Sequence, residues 1–271
     1  MKYSSEKPIE FLVFLDTLFV VFLAISGMNE GFLSTLFYIL AFLIPVFIGL
    51  RSTRETNADK EFLSLNNIRS SIPLIAPTIG AVMIISFLTS LAISLLTGKS
   101  NAVDIGDNLF LAIFTHAFAP AILEEALFRF IPLRMMKGKS WPVIIVYSAL
   151  FFALIHHSFF SMPYAFLAGA IFMLVDLACD SVWPSVIIHF LNNAMSVLFI
   201  FYADLPYIRW IVISLVAVLS IVSILYIAKN FGKYEKIKEK ITCWSDLKAA
   251  PPKEVLVLAI PMIIVAVMEL V

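Results

Sequence analysis

The chain has 271 residues, of which 61% are hydrophobic, 14% aromatic and 14% charged, and its formal net charge is zero. Soluble domains hold about 45–50% apolar and about 25% charged residues, and the mean hydropathy here is +0.99. A chain this apolar cannot cover itself with polar side chains, which excludes a soluble globular enzyme, a disordered chain and a nucleic-acid-binding module and points to lipid as its solvent. With no net charge there is no steering toward a polyanion. The two cysteines, Cys179 and Cys243, lack the spacing of a metal or redox motif.

A membrane-crossing helix takes about 20 predominantly apolar residues. Apolar runs fall at 10–27, 32–50, 72–97, 108–128, 141–156, 162–179, 184–202, 206–228 and 254–271. Period-2 alternation is absent, which excludes a spanning β-barrel. The expected fold is all-α: a polytopic transmembrane helical bundle of about 7–9 spans forming a single integral membrane domain over 1–271. Shorter runs are expected to be tilted, re-entrant or buried in the bundle. Lys2 and Lys7 precede the first run and Ala24-Ile25-Ser26 resembles a cleavage site. Asp16 inside the run, and a second run directly after it, favour an uncleaved first span over a signal peptide.

Positive charge follows the second run (Arg51, Arg54, Lys60, Arg69), the fourth (Arg134, Lys137, Lys139) and the eighth (the lysines of 229–253). A nine-span count puts these loops and the N-terminus on one side, which the positive-inside rule makes cytoplasmic. Segment 229–253 reads as a cytoplasmic basic linker interrupted by Pro251-Pro252.

Ionisable residues inside spans are costly and mark function. Asp16, His116, Glu124, Glu125, Arg129, His156, Asp176, His189 and Glu269 fall within the runs. Three patterns at helical spacing stand out among them. Glu125 and Arg129 are four apart with the acid first, the favourable order for an ion pair, while Glu124 is turned about 100° away around the helix. Phe152 and His156 share a face, and so do His189 and Asn193. Glu124 and His156 are equidistant from Ser140, so a helical hairpin closing there would bring them to similar depth. Asp176 and Asp180 read as water-binding or span-capping acids, and His157 as an end-of-span residue.

One carboxylate, two imidazoles and an amide suffice to hydrolyse an amide without a covalent intermediate. The glutamate serves as general base, one histidine holds the water, and the second histidine and the asparagine donate to the oxyanion. No GxSxG elbow suggests a serine nucleophile. The same His156, His189 and a glutamate could bind zinc, although no HExxH is present.

The ordered set Glu124-Glu125-x3-Arg129, Phe152-x3-His156 and His189-x3-Asn193, within LEEALFR and IIHFLNNA, resembles the CAAX protease and bacteriocin-processing (Abi) family of intramembrane glutamate endopeptidases. The similarity covers about 105–200, the expected catalytic core. It implies that Glu124 activates water with His156 as partner, that His189 and Asn193 form the oxyanion hole, and that Glu125, Arg129 and Phe152 support them. It implies no cofactor, zinc being the alternative. The close spacing of His156 and His189 resembles the prokaryotic branch, hence a prokaryotic cell membrane. The implied partners are membrane lipids and a peptide or lipidated-peptide substrate, either a CAAX-type prenylated peptide or a bacteriocin or signal peptide. A non-catalytic immunity or peptide-binding protein of the same family is the competing function. A proton-coupled transporter would need inverted repeats, and none is visible.

Overall fold

Eight of the nine apolar runs are helical in the computed structural model, which describes residues 8–28, 31–52, 68–97, 105–136, 139–156 and 161–230. The ninth run, 254–271, lies outside the described residues, as does all but the start of the 229–253 linker. The helices are α1 (Pro8–Gly27), α2 (Gly31–Ser52), α3 (Ile68–Thr97), α4 (Leu109–Met135), α5 (Trp141–Leu154), α6 (Ser161–Cys179), α7 (Trp183–Phe201) and α8 (Pro206–Asn230). No strand occurs among the described residues. The chain is an all-α polytopic bundle and an integral membrane protein. Five of its helices contain stretches long and apolar enough to cross a bilayer: Ser71–Leu96, Leu109–Met135, Ser161–Cys179, Trp183–Phe201 and Pro206–Tyr226. Along α8, Ile211, Val218, Ile221 and Leu225 are exposed, and Tyr207 and Trp210 are exposed at its start. This is the apolar face with an aromatic end that lipid favours.

Two of the apolar runs differ from their helices for physical reasons. The fourth run stops at the charges after residue 128, but α4 continues to Met135 because Arg129 is fully buried. The fifth run becomes α5, a helix of 14 residues in which eleven are buried. At about 1.5 Å per residue it is too short to cross the hydrocarbon, and a helix apolar all round belongs in a core.

The described residues form two compact units. The first holds α1, α2, the part of α4 from Leu123, α5 and the part of α6 up to Gly169. Its core is aromatic. Phe19 of α1 meets Phe42 of α2 at 4.7 Å and Phe128 of α4 at 6.0 Å between ring centres, both edge to face. Gly49 of α2 sits so close to Ile131 that an added Cβ would lie 2.5 Å from its Cδ1. The second unit holds α3, the part of α4 up to Ile122, the part of α6 from Ala170, α7 and α8. There α3 crosses α8 at Gly80, whose carbonyl accepts from Ser220 Oγ at 3.4 Å. A Cβ on Gly80 would meet the Leu219 carbonyl oxygen at 2.9 Å. Small residues allow such close crossings where lipid offers no hydrophobic drive.

Candidate active site

Helix α4 begins under an Asn108 cap, whose Oδ1 accepts from Leu111 N–H at 3.0 Å, and it carries two wide turns. In Phe114–Phe118 and Ala126–Phe130 the backbone bonds run i→i+5, from Ala119 N–H to the Phe114 carbonyl and from Ile131 N–H to the Ala126 carbonyl. Each wide turn ends two residues before a proline, Pro120 and Pro132. Proline has no N–H for the carbonyl four residues back and its ring crowds that carbonyl, so the helix widens there. Pro132 leaves the Phe128 carbonyl without its helical donor, and the buried Ser148 hydroxyl of α5 donates to it. Wide turns of this kind are frequent at functional sites, and here one directly follows Glu124 and Glu125.

Glu125 and Arg129 are both fully buried, with Arg129 Nε 3.1 Å from Glu125 Oε2. The Arg129 guanidinium also lies over the Phe152 ring at 4.0 Å. Gly169 of α6 closes this arrangement: a Cβ there would stand 3.1 Å from Ala149 Cα, 3.1 Å from Phe152 Cδ1 and 3.4 Å from Arg129 Nη2. The pairs Phe128–Ser148 and Arg129–Phe152 have the register of an antiparallel hairpin closing near Ser140.

Phe152 in turn meets His156, ring centre to ring centre at 4.8 Å and tilted 70°. His156 Nδ1 lies 2.8 Å from the Phe152 carbonyl oxygen. A carbonyl can only accept, so Nδ1 carries the proton and, in the neutral ring, Nε2 is the accepting nitrogen. Glu125, Arg129, Phe152 and His156 are thus one continuous cluster. Glu124, half-buried on the same helix, is within electrostatic reach of Tyr38 on α2. Just before His156, an open apolar groove of about 510 Å³ runs between α5 and α6, lined by Ala153, Leu154, Pro163, Phe166 and Leu167 among others.

The second unit carries the remaining expected residues on α7. His189 is buried and stacks on Phe172 of α6 at 5.4 Å with the rings 29° apart. Asn193 is half-buried and its Oδ1 accepts from Asn192 Nδ2 at 3.3 Å. Asp176 fixes the start of α7. Its carboxylate accepts from Ser185 N–H at 3.1 Å and from Ser185 Oγ–H at 2.7 Å, the bond pattern that satisfies a helix N-terminus. Its backbone carbonyl accepts from Ser181 N–H at 3.2 Å, while Asp180 adopts φ 48°. That is a left-handed termination of α6. Asp176 therefore closes one helix with its carbonyl and opens the next with its side chain.

Four residues of these clusters were not singled out by sequence reasoning. Ser148 was signalled by Pro132, which frees a carbonyl four residues back. Asn192 was visible only as the neighbour of Asn193. Gly169 and Phe172 carry no local signal, since their roles arise from packing. Of the other intramembrane ionisable residues, Asp16 is buried in α1 and His116 is half-buried in the first wide turn of α4. His157 and Glu269 lie outside the described residues. Among the described residues no group of three His, Cys, Asp or Glu converges as metal ligands.

Residues 106–195 match the family model for type II CAAX prenyl endopeptidase Rce1-like proteins. This stretch, about a third of the chain, is similar to the Rce1-like family. The match spans all three motifs, from before Glu124 to beyond Asn193, and agrees with the CAAX protease resemblance that those motifs carry. The family that this model describes is one of prenyl endopeptidases. No curated protein and no solved structure matches the chain.

Proposed function

We propose that the chain is an intramembrane glutamate endopeptidase. Glu124 takes the proton of the attacking water, His156 helps orient that water through Nε2, and His189 and Asn193 donate to the oxyanion of the tetrahedral intermediate. The observation that carries this reading is the 2.8 Å approach of His156 Nδ1 to the Phe152 carbonyl oxygen, which leaves Nε2 as the accepting nitrogen of the neutral ring. The Phe152 carbonyl engages Nδ1–H, and Phe152 is itself held by the buried Arg129–Glu125 pair. Two carboxylates side by side are thereby given different work, Glu125 neutralising Arg129 and Glu124 acting as base. The mechanism needs no metal, because general base, water holder and oxyanion donors are all side chains.

The substrate in this reading is a lipidated peptide of the CAAX type. The apolar groove between α5 and α6 suits a hydrocarbon chain, and its seven apolar lining residues offer a free peptide little to hydrogen-bond. The membrane is that of a prokaryotic cell, with the N-terminus and basic loops cytoplasmic. Arg51, Arg134 and Lys229 in the last turns of α2, α4 and α8 support that orientation.

The test is cleavage by the purified protein in proteoliposomes, with excess EDTA, of a farnesylated CAAX-type peptide and of the same peptide without the lipid. Wild type is expected to cut the farnesylated peptide preferentially, and Glu124→Gln, His156→Ala and His189→Ala to abolish cleavage while inserting normally. Full activity of Glu124→Gln sinks the mechanism. Loss of wild-type activity in EDTA, restored by zinc, favours a metalloprotease. Binding that survives all three substitutions without cleavage by wild type favours a peptide-binding immunity protein.

A further inference from the structure

Helix α7 carries two asparagines side by side, and they differ in burial. Its inward line runs through Ser185, Ile188 and Asn192, all buried, while Asn193 is half-buried beside it. An apolar side chain would fill position 192 without cost, whereas a primary amide there is costly unless its hydrogen bonds are made. The Asn192 amide donates from Nδ2 to Asn193 Oδ1 at 3.3 Å. That bond fixes which way the second amide faces. A carboxamide has one accepting and one donating end, and half a turn about its last torsion exchanges them. With Oδ1 held on the Asn192 side, the two N–H bonds of Asn193 Nδ2 are turned elsewhere. The reverse orientation would present an acceptor in their place. An oxyanion only accepts, so one orientation binds it and the other repels it. One turn back on α7, His189 is stacked on Phe172 at 5.4 Å with the rings 29° apart. The imidazole is thus oriented by an aromatic face and the amide of Asn193 by a second amide.

We infer that Asn192 is a positioning residue for Asn193, its Nδ2–H selecting the orientation of the neighbouring amide in which Nδ2 donates to the oxyanion. This rests on the reading of Asn193 as an oxyanion donor. In this role Asn192 meets no reacting atom and gives up no proton. Its burial on the inward line of α7 holds the donor still, and the half-buried Asn193 is the member of the pair that substrate can reach.

Asn192→Leu tests this, because it keeps the branched shape of the side chain and removes the amide. With the farnesylated peptide in proteoliposomes, kcat is expected to fall about five-fold, the weight of a neutral hydrogen bond, with KM unchanged. Asn193→Ala removes the oxyanion donor itself and is expected to lower kcat about 10²–10³-fold. The two substitutions are then combined. In the Asn193→Ala background there is no amide left to orient, so adding Asn192→Leu is expected to lower kcat no further, since residues that act as a unit are not additive. A packing role for Asn192 predicts the same fall in both backgrounds, and that outcome overturns the inference. Should leucine prevent folding, Asn192→Ala carries the same comparison. Wild-type kcat in Asn193→Ala sinks the reading of Asn193 as oxyanion donor. A slow Asn193→Ala beside an unaltered Asn192→Leu sinks only the role of Asn192.

Discussion

The guanidinium carbon of Arg129 stands 4.0 Å from the centre of the Phe152 ring, so a charge in the middle of an apolar helix is held by an aromatic face and one carboxylate. Desolvating two ions is costly, and the cost is recovered only with good geometry and further partners. The Phe152 face supplies the further partner, since a desolvated cation over a ring gains about 2 kcal/mol. Removing Arg129 leaves Glu125 as a buried charge without its counter-ion. Arg129→Ala is expected to lose about 3–5 kcal/mol, read as a large drop in the unfolding temperature of the detergent-solubilised protein. Arg129→Lys keeps the charge but not the planar stack and should fall between the two.

The His156 tautomer can be observed directly. In protein labelled with ¹⁵N-histidine, the resonances assigned by loss in His156→Ala should show a protonated, pyrrole-type Nδ1 and a pyridine-type Nε2. The opposite assignment would contradict the bond to the Phe152 carbonyl and remove the support it lends to a water-orienting Nε2.

Gly169 is a packing constraint on the same cluster. An added Cβ at 3.1 Å from Ala149 Cα meets backbone that cannot swing away. Gly169→Ala is expected to cost about 1–3 kcal/mol, the range for overpacked cores, and larger side chains more. The decrease should appear in thermal unfolding, and activity should fall with it because Phe152 is the other atom group in the way.

In the second unit, Asp176→Ala removes the two carboxylate oxygens that accept from Ser185 at the head of α7 and leaves its hydroxyl only the Val182 carbonyl. Loss of a helix cap costs about 0.5–2 kcal/mol. Amide hydrogen exchange should quicken over the first turns of α7 while α8 exchanges as before. Equal protection of α7 in the variant would show that the cap contributes nothing.

Much of this arrangement was legible in the sequence. Helical spacing alone put Glu125 with Arg129 and Phe152 with His156, because neighbours three and four apart on a helix must share a face. The equal distance of Glu124 and His156 from Ser140 gave the hairpin register. The end of α4 was not legible. Arg129 looks like a terminating charge until its burial against Glu125 and Phe152 is known, and burial is a tertiary fact. The wide turns were half legible, since Pro120 and Pro132 announce a missing N–H but not how the helix responds. Asp176 was read as a capping or water-binding acid, and its target, Ser185, could be found only once α6 and α7 were folded against each other.

The Phe128 carbonyl joins two of these observations. Freed by Pro132, it is bonded by Ser148 from the neighbouring helix. Apolar side chains tolerate a slide of an ångström or a few degrees of roll at small cost, whereas a hydrogen bond is lost steeply with angle. The proline therefore converts an internal bond of α4 into an indexing pin between α4, which carries Glu124, and α5, whose end leads directly into the turn that carries His156. Pro132→Ala would return the bond to α4 and leave α5 held to it by apolar packing and the Arg129–Phe152 stack.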